Sequence, residues 1–323
     1  MQSINWFTDK VLQGEQITKS EALYLYEQPL DELCQSADRI RRHFCSNRFD
    51  ICTIINGKSG RCSENCKFCA QSAHHHTGVT EYALLSEQEI VAQAQKNHEQ
   101  GVLRYSIVTS GRRLSEQEVD EMSRVVASIK QKVGISVCVS FGLLEEQQFR
   151  KLKEAGVTRV HNNLETSRRY FPQICTTHTF DDKVRAIRAA QAAGLSVCSG
   201  GIMGLGETVQ DRIDMAMSLR DLGIKSVPIN MLNPIPGTPF AHNPKLSQTD
   251  MQRIVAVYRF VLPDASIRLA GGRGLLADKG KSCFLSGANA AISGDMLTTS
   301  GITTQTDIKL LNELGFEVKL CNE

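Results

Sequence analysis

The feature that most constrains the fold of this 323-residue chain is a rhythm. From about residue 50 onward, short β-branched apolar runs alternate with longer amphipathic segments. The amphipathic segments repeatedly stop at a glycine: Gln100-Gly101, Ala155-Gly156, Ala193-Gly194, Leu222-Gly223 and Leu314-Gly315. Glycine accepts the left-handed backbone that ends a helix, so helix, glycine, strand is the cadence of βα units and a parallel sheet. Strands are predicted over Ile51–Asn56, Tyr105–Thr109, Ile135–Ser140, Thr158–Leu164, Leu195–Ser199, Ser226–Leu232 and Ser266–Ala270, with a weaker one over Phe284–Ala288. Helices are predicted over Ser86–Gln100, Ser115–Lys132, Glu145–Glu154, Phe180–Ala193, Thr208–Leu222, Gln248–Val261 and Gln305–Leu314.

Eight such units over ~270 residues predict an α/β protein of the (β/α)8, TIM-type barrel class. A doubly wound open sheet has the same periodicity. The barrel is favoured because Cys62, Cys138, Asn163, Glu165, Cys198, Asn230 and Arg273 fall at or just past predicted strand ends, which a barrel gathers on one face. Residues 1–45 predict a helical extension, with apolar Val11, Ile17, Leu23, Leu30, Leu33 and Ile40 at helical spacing. Residues 46–323 predict a single barrel domain without a linker or low-complexity tract.

Composition narrows the function. A net charge of +2 gives no footprint for a nucleic-acid partner. No apolar run approaches the ~18 residues of a membrane span. Eleven cysteines, an odd number, together with an opening Met1-Gln2-Ser3-Ile4-Asn5-Trp6 that is not secretory, predict a soluble protein of the reducing cytoplasm.

Three of those cysteines lie together in Arg61-Cys62-Ser63-Glu64-Asn65-Cys66-Lys67-Phe68-Cys69. The C-x3-C-x2-C spacing can hold three irons of a cubane iron–sulfur cluster and leave the fourth open to a ligand. Structural zinc is the alternative. It needs a closed set of four ligands, and His74, His75 or His76 could supply the fourth, although three adjacent histidines fit a solvated loop better. Downstream stand a glycine-rich run, Cys198-Ser199-Gly200-Gly201-Ile202-Met203-Gly204-Leu205-Gly206-Glu207, then Pro228-Ile229-Asn230-Met231-Leu232, Arg268-Leu269-Ala270-Gly271-Gly272-Arg273 and Gly287-Ala288-Asn289.

The triplet, with Phe68 before its third cysteine, resembles the signature of the radical S-adenosylmethionine enzymes. The order and spacing of all these motifs, from about Cys52 to Gly315, resemble the biotin synthase family. The resemblance implies a full (β/α)8 barrel, a homodimer and a reduced flavodoxin- or ferredoxin-type electron donor. The implied reaction converts dethiobiotin to biotin by inserting sulfur between the C6 methylene and the C9 methyl. It further implies that Cys62, Cys66 and Cys69 hold a [4Fe–4S] cluster binding S-adenosylmethionine, whose cleavage yields a 5′-deoxyadenosyl radical. By the same resemblance, Phe68, Asn163, Glu165, Lys183 and Gly204 would contact that cofactor, and Asn230 and His161 the substrate. Cys138, Cys198 and Arg273 would hold an auxiliary [2Fe–2S] cluster that supplies sulfur.

One departure touches this last set. Where the family has an Arg-aromatic-Cys sequence on the second strand, this chain reads Arg104-Tyr105-Ser106, and a hydroxyl is a far weaker iron ligand than a thiolate. Cys175, in the loop after the fourth strand, is a candidate replacement, which would give an auxiliary cluster of altered type on Cys138, Cys175 and Cys198; the alternative is a loop thiol with no ligand role. Cys34, Cys45, Cys52, Cys283 and Cys321 read as buried or surface thiols without a ligand role. Two other functions remain open: a relative using the same radical on an amino-acid-derived substrate, and a zinc-stabilised binding protein without chemistry.

Overall fold

The computed structural model describes residues 2–321. The leading helical stretch is three helices, α1 (Ile4–Leu12), α2 (Lys19–Tyr26) and α3 (Leu30–Cys45). It breaks at Gly14, whose φ is +88°, and at Pro29, the N-cap of α3. Helix α3 packs along α10 (Gln248–Val261), and α2 bridges α10 and α9 (Val209–Asp221).

The barrel strands are β1 (Arg48–Lys58), β2 (Arg104–Thr109), β3 (Ser136–Ser140), β4 (Val157–His161), β5 (Ser196–Cys198), β6 (Gly201–Met203), β7 (Ser226–Met231), β8 (Ser266–Leu269) and β9 (Ala290–Ser293). The helices between them are α4 (Glu87–Glu99), α5 (Glu116–Lys132), α6 (Glu146–Glu154), α7 (Phe171–Ile174), α8 (Phe180–Ala192), α9, α10 and α11 (Lys281–Phe284). Helix α12 (Thr304–Glu313) and β10 (Glu317–Val318) follow. Ser86, Ser115, Thr179, Thr208 and Ser247 start α4, α5, α8, α9 and α10 through reciprocal hydrogen bonds with the third helical residue, which satisfies otherwise unpaired donors.

All strand pairings are parallel, and β9 pairs back onto β1, so eight staves close into a barrel. β5 and β6 are one stave interrupted at Ser199-Gly200. Glycine is obligatory at that break: a Cβ on Gly200 would lie 1.9 Å from the Pro228 carbonyl oxygen, and one on Gly201 2.3 Å from that of Glu165. The eighth stave is β9, not the expected Phe284–Ala288. Phe284 ends α11 with its ring against Phe49 (centroids 4.8 Å), and Gly287 turns the chain at φ +113°. Asn289 then locks the entry to β9, its Oδ1 accepting from the Ile267 amide at 3.0 Å and from Arg259 at 2.8 Å. No helix among the described residues is long and apolar enough to cross a membrane.

Strand register decides which side chains share a level inside. Cys52 pairs with Arg104 and Arg104 with Ser136, and two residues along β3 is Cys138. Cys138 pairs with Arg159 and Arg159 with Ser196, and two residues on is Cys198. Cys198 pairs with Ser226 and Ser226 with Ser266, and two residues on is Arg268. Arg268 pairs with Ala290 and Ala290 with Asp50, and two residues on is Cys52 again. The four two-residue climbs return to the start after a stagger of eight, as closure of an eight-stranded barrel requires.

Alternate staves contribute the four side chains of one layer. Cys52, Cys138, Cys198 and Arg268 are therefore one layer. Arg104, Arg159, Ser226 and Ala290 form the next below it, and Asp50, Ser136, Ser196 and Ser266 the one beneath that. Such layers are ordinarily branched aliphatic, and these are polar. The C-terminal segment seals the lower mouth: the Cys321 carbonyl accepts from Arg159 Nη2 at 3.2 Å, and its amide donates to Asp50 at 3.4 Å.

Candidate active site

A cavity of about 380 Å³ opens at the C-terminal ends of the strands and reaches down to the cysteine layer. Cys62, Cys66 and Cys69 line its wall together with Phe68. Their loop is held by backbone and side-chain bonds. The Cys62 amide donates to Gln71 O at 3.0 Å, its carbonyl accepts from Ala73 N at 2.8 Å, and Lys67 N donates to Ile174 O at 2.9 Å. The Asn65 carboxamide donates to Thr176 Oγ1 at 2.6 Å and accepts from the Thr176 amide at 2.9 Å. Burial pushes the Cys69 thiol up to about 11.

The expected histidine alternative is spent elsewhere. His74 Nε2 lies 3.1 Å from Ser63 O, and His75 Nε2 lies 3.1 Å from Cys66 O. The donor set facing the cavity from this loop is thus three thiols, which suits a cluster with one open iron better than a closed four-ligand zinc site.

Asn163, Glu165 and Lys183 also line the cavity. Glu165 has φ +69°, a left-handed backbone that side chains adopt at a cost, and its amide and carbonyl are tied to Gly200 and Ile202 across the staves. The close Glu165–Gly201 approach is therefore what aims the carboxylate inward. Burial pushes its carboxyl above the ordinary range, against the opposing charge of Lys183. Asn163 donates to Glu165 Oε2 at 3.3 Å and accepts from the Gly200 amide at 3.1 Å. Asn230 lines the cavity but is partly used as a staple, donating to Gly201 O at 3.0 Å and accepting from Gly271 N at 2.9 Å. One N–H and one lone pair remain for a ligand.

Three guanidinium groups face or underlie the cysteine layer: Arg104, Arg159 and Arg268. The buried carboxylate of Asp50 lies 3.1 Å from Arg268 and 3.7 Å from Arg159. Burial alone would raise the Asp50 carboxyl, but the charges of Arg268, Arg104 and Arg159 outweigh it and hold it below the ordinary range. Cys198 shows the same contest. Burial pushes its thiol up, and the hydrogen bond and charge of His161, with Arg268 and Arg159, bring it down to about 6. The positive charges around Cys198 thus favour its thiolate, whereas burial outweighs them at Cys138 and pushes that thiol up.

Several expected roles are relocated. Arg273 is not beside Cys138 and Cys198. It is buried in a two-pronged pair with Asp307 (2.8 and 2.6 Å) and donates to Lys279 O and Ile292 O, so it ties α12 to the loop after β8. The arginine in the cysteine layer is Arg268, five residues earlier, because the barrel stagger brings that position level with Cys198.

Cys175 is not with Cys138 and Cys198 either. Its Sγ is 3.7 Å from Cys66 Sγ and 3.3 Å from His178 Nδ1, behind the triplet loop and among core side chains. Cys66, Cys175 and His178 have ligand atoms within 4.8 Å of one another, but His178 Nδ1 is engaged by the Glu64 carboxylate. His161 lines the cavity, yet its ring is turned to Cys198. Gly204 does not reach the cavity: its amide donates to Glu207 at 2.9 Å and its carbonyl accepts from Asn243 at 3.3 Å.

Arg104, Arg159 and Arg268 escaped the sequence reading. The signal available was charge at inward alternate positions of apolar strands: Asp50-x-Cys52, Arg104-x-Ser106, Arg159-x-His161 and Ser266-x-Arg268.

Comparison with known proteins agrees with this geometry. The Radical SAM superfamily pattern matches residues 58–219, and the Biotin and Thiamin Synthesis associated domain matches residues 228–317. The chain is 58% identical to the biotin synthase of Brachyspira hyodysenteriae over 318 residues, 98% of this chain and 96% of that one. It is 56% identical to that of Akkermansia muciniphila over 311 residues, 96% and 97% of the two chains. Among solved structures, methylornithine synthase (PylB) superposes with a TM-score of 0.83 at 20% identity, covering 97% of each chain. The hydrogenase maturase HydG superposes with a TM-score of 0.84 at 19% identity, covering 99% of this chain and 76% of its own. The last two similarities concern the fold alone.

Proposed function

Because the chain belongs to the biotin synthases, radical S-adenosylmethionine enzymes that insert sulfur, we propose that its cavity divides the reaction between two sets of thiols. Cys62, Cys66 and Cys69 hold the [4Fe–4S] cluster, and Cys138 and Cys198 hold auxiliary iron and sulfide deeper in the barrel. When bound, the first cluster and S-adenosylmethionine supply an electron and a carbon radical able to take hydrogen from an unactivated C–H bond of dethiobiotin.

The residues of the chain position and shield. Lys183, whose charge acts on both Glu165 and the Cys66 sulfur, faces the carboxylate of the nucleoside cofactor as a point charge. Glu165, steadied by Asn163, accepts from ribose hydroxyls, and Phe68 covers the triplet. The free N–H and lone pair of Asn230 suit a cyclic urea, which has both a donor and an acceptor edge. An external one-electron donor of flavodoxin or ferredoxin type and a homodimeric assembly complete the reading, on the strength of the family alone.

The observation that carries this reading is that one cavity is lined by both thiol sets, the triplet above and Cys138 and Cys198 below. Anaerobically reconstituted protein given dethiobiotin, S-adenosylmethionine and reductant is expected to form biotin and 5′-deoxyadenosine. Deoxyadenosine without biotin would point to a different substrate. A colourless zinc protein would reject the radical reading altogether.

A further inference from the structure

Ser106 leaves the auxiliary site one thiolate short, and Cys175 is held elsewhere by Cys66 and His178. The layer geometry supplies another sulfur. Cys52 on β1 is level with Cys138 on β3, Cys198 on β5 and Arg268 on β8, by a register that closes on itself around the barrel. Four side chains of one layer point at the barrel axis from alternate staves, so three sulfurs converge there from three directions. Ser106 belongs to the neighbouring staves: it pairs with Cys138 and with Ile54, the inward residue above Cys52.

We propose that Cys52 is the third thiolate ligand of the auxiliary iron–sulfur cluster, completing a Cys52–Cys138–Cys198 set in place of the absent second-strand cysteine. The proposal rests on the two-site reading above and adds a ligand to it.

Two observations beside the register favour a ligand over an inert core thiol. Cys34, Cys175 and Cys283 are buried within the apolar core, whereas Cys52, Cys138 and Cys198 are buried to a similar depth yet stand outside it, lining the cavity. Among the described residues, the hydrogen bond of the Cys52 thiol is a 3.4 Å contact to the adjacent Thr53 carbonyl.

The test counts iron and acid-labile sulfide, and records Mössbauer spectra, on anaerobically reconstituted full-length variants. In the Cys62→Ala/Cys66→Ala/Cys69→Ala triple variant, the iron that remains belongs to the barrel layer. Adding Cys52→Ala is expected to reduce it to background, and adding Ser106→Ala to leave it unchanged. In the otherwise unaltered chain, Cys52→Ala is expected to keep about four irons on the triplet and to keep forming 5′-deoxyadenosine, which also reports that it folds. Cys52→Ser, close in volume, gives the same comparison if the alanine variant does not fold. Residual iron that survives the loss of Cys52, that is lost with Ser106 instead, or that is missing from the triple variant from the start overturns the proposal. Failure of the two-site reading itself looks different: the unaltered chain would hold no cluster on its triplet.

Discussion

The two thiol sets of this barrel differ in how they are built. Cys62, Cys66 and Cys69 lie within eight consecutive residues on one loop, half-buried, and held by hydrogen bonds to the segment around Asn65, Thr176 and Thr177. Cys52, Cys138 and Cys198 come from three strands spread over nearly half the chain, and only the stagger of the sheet makes them neighbours. The loop set can be presented to a cofactor at the cavity mouth. The strand set is buried over a floor of arginines. The contrast teaches that local spacing suffices to gather the triplet proposed to start the radical, whereas the deeper set proposed to determine the product depends on the whole closed sheet.

The sharpest way to break the comparison is to remove one member of each set. Cys66→Ala is expected to abolish both 5′-deoxyadenosine and biotin formation, measured by product chromatography, because nothing downstream proceeds without the triplet. Cys198→Ala is expected to abolish biotin but leave reductive 5′-deoxyadenosine formation, uncoupling the two products. Equal loss of both products in the Cys198 variant would mean that the sets are not separate.

The next effect is on stability. Asp50 is a buried carboxylate facing three buried arginines, and stripping the partner from a buried pair costs about 3–5 kcal/mol. Asp50→Asn should show this in denaturant unfolding. Its pH dependence has a definite sign. The Asp50 carboxyl is lower in the folded than in the unfolded chain, so its contribution is complete above the ordinary carboxyl range of about 4. The contribution is lost as pH falls through the depressed folded value. The wild type should therefore lose stability below about pH 4 more steeply than the variant; parallel acid limbs would contradict the pairing.

The smallest expected effect separates Arg273 from the site. Arg273→Lys keeps charge but loses the two-pronged bond to Asp307, a loss of about 1–3 kcal/mol, with iron and sulfide content unchanged. A fall in auxiliary iron without a fall in stability would return Arg273 to the ligand set.

Much of this was legible in the chain. Glycine stops after amphipathic segments marked the βα units, and the predicted helices agree with the observed ones to within a residue or two. Phe284–Ala288 was misread because Phe284 and Ala288 are as apolar as a strand, while the turn at Gly287 and the anchoring of Asn289 depend on Ile267 and Arg259 far away in sequence. Arg273, just past the predicted strand Ser266–Ala270, was assigned by resemblance, while Arg268 lay inside that strand, and residue count cannot tell which of the two reaches the cysteine layer. Cys175 was placed correctly in a loop on the right face, but its depth beside Cys66 follows from how Asn65 and Glu64 draw in the 175–178 segment.

By itself the sequence determined the alternating α/β architecture and the thiol triplet, which rest on residues close together in the chain, and the family, which rests on the order and spacing of short motifs along it. Only the tertiary structure decided which cysteines and which arginine share a level in the barrel. That level is defined by a stagger accumulated over eight staves. A single strand carries no record of it until the first strand meets the last.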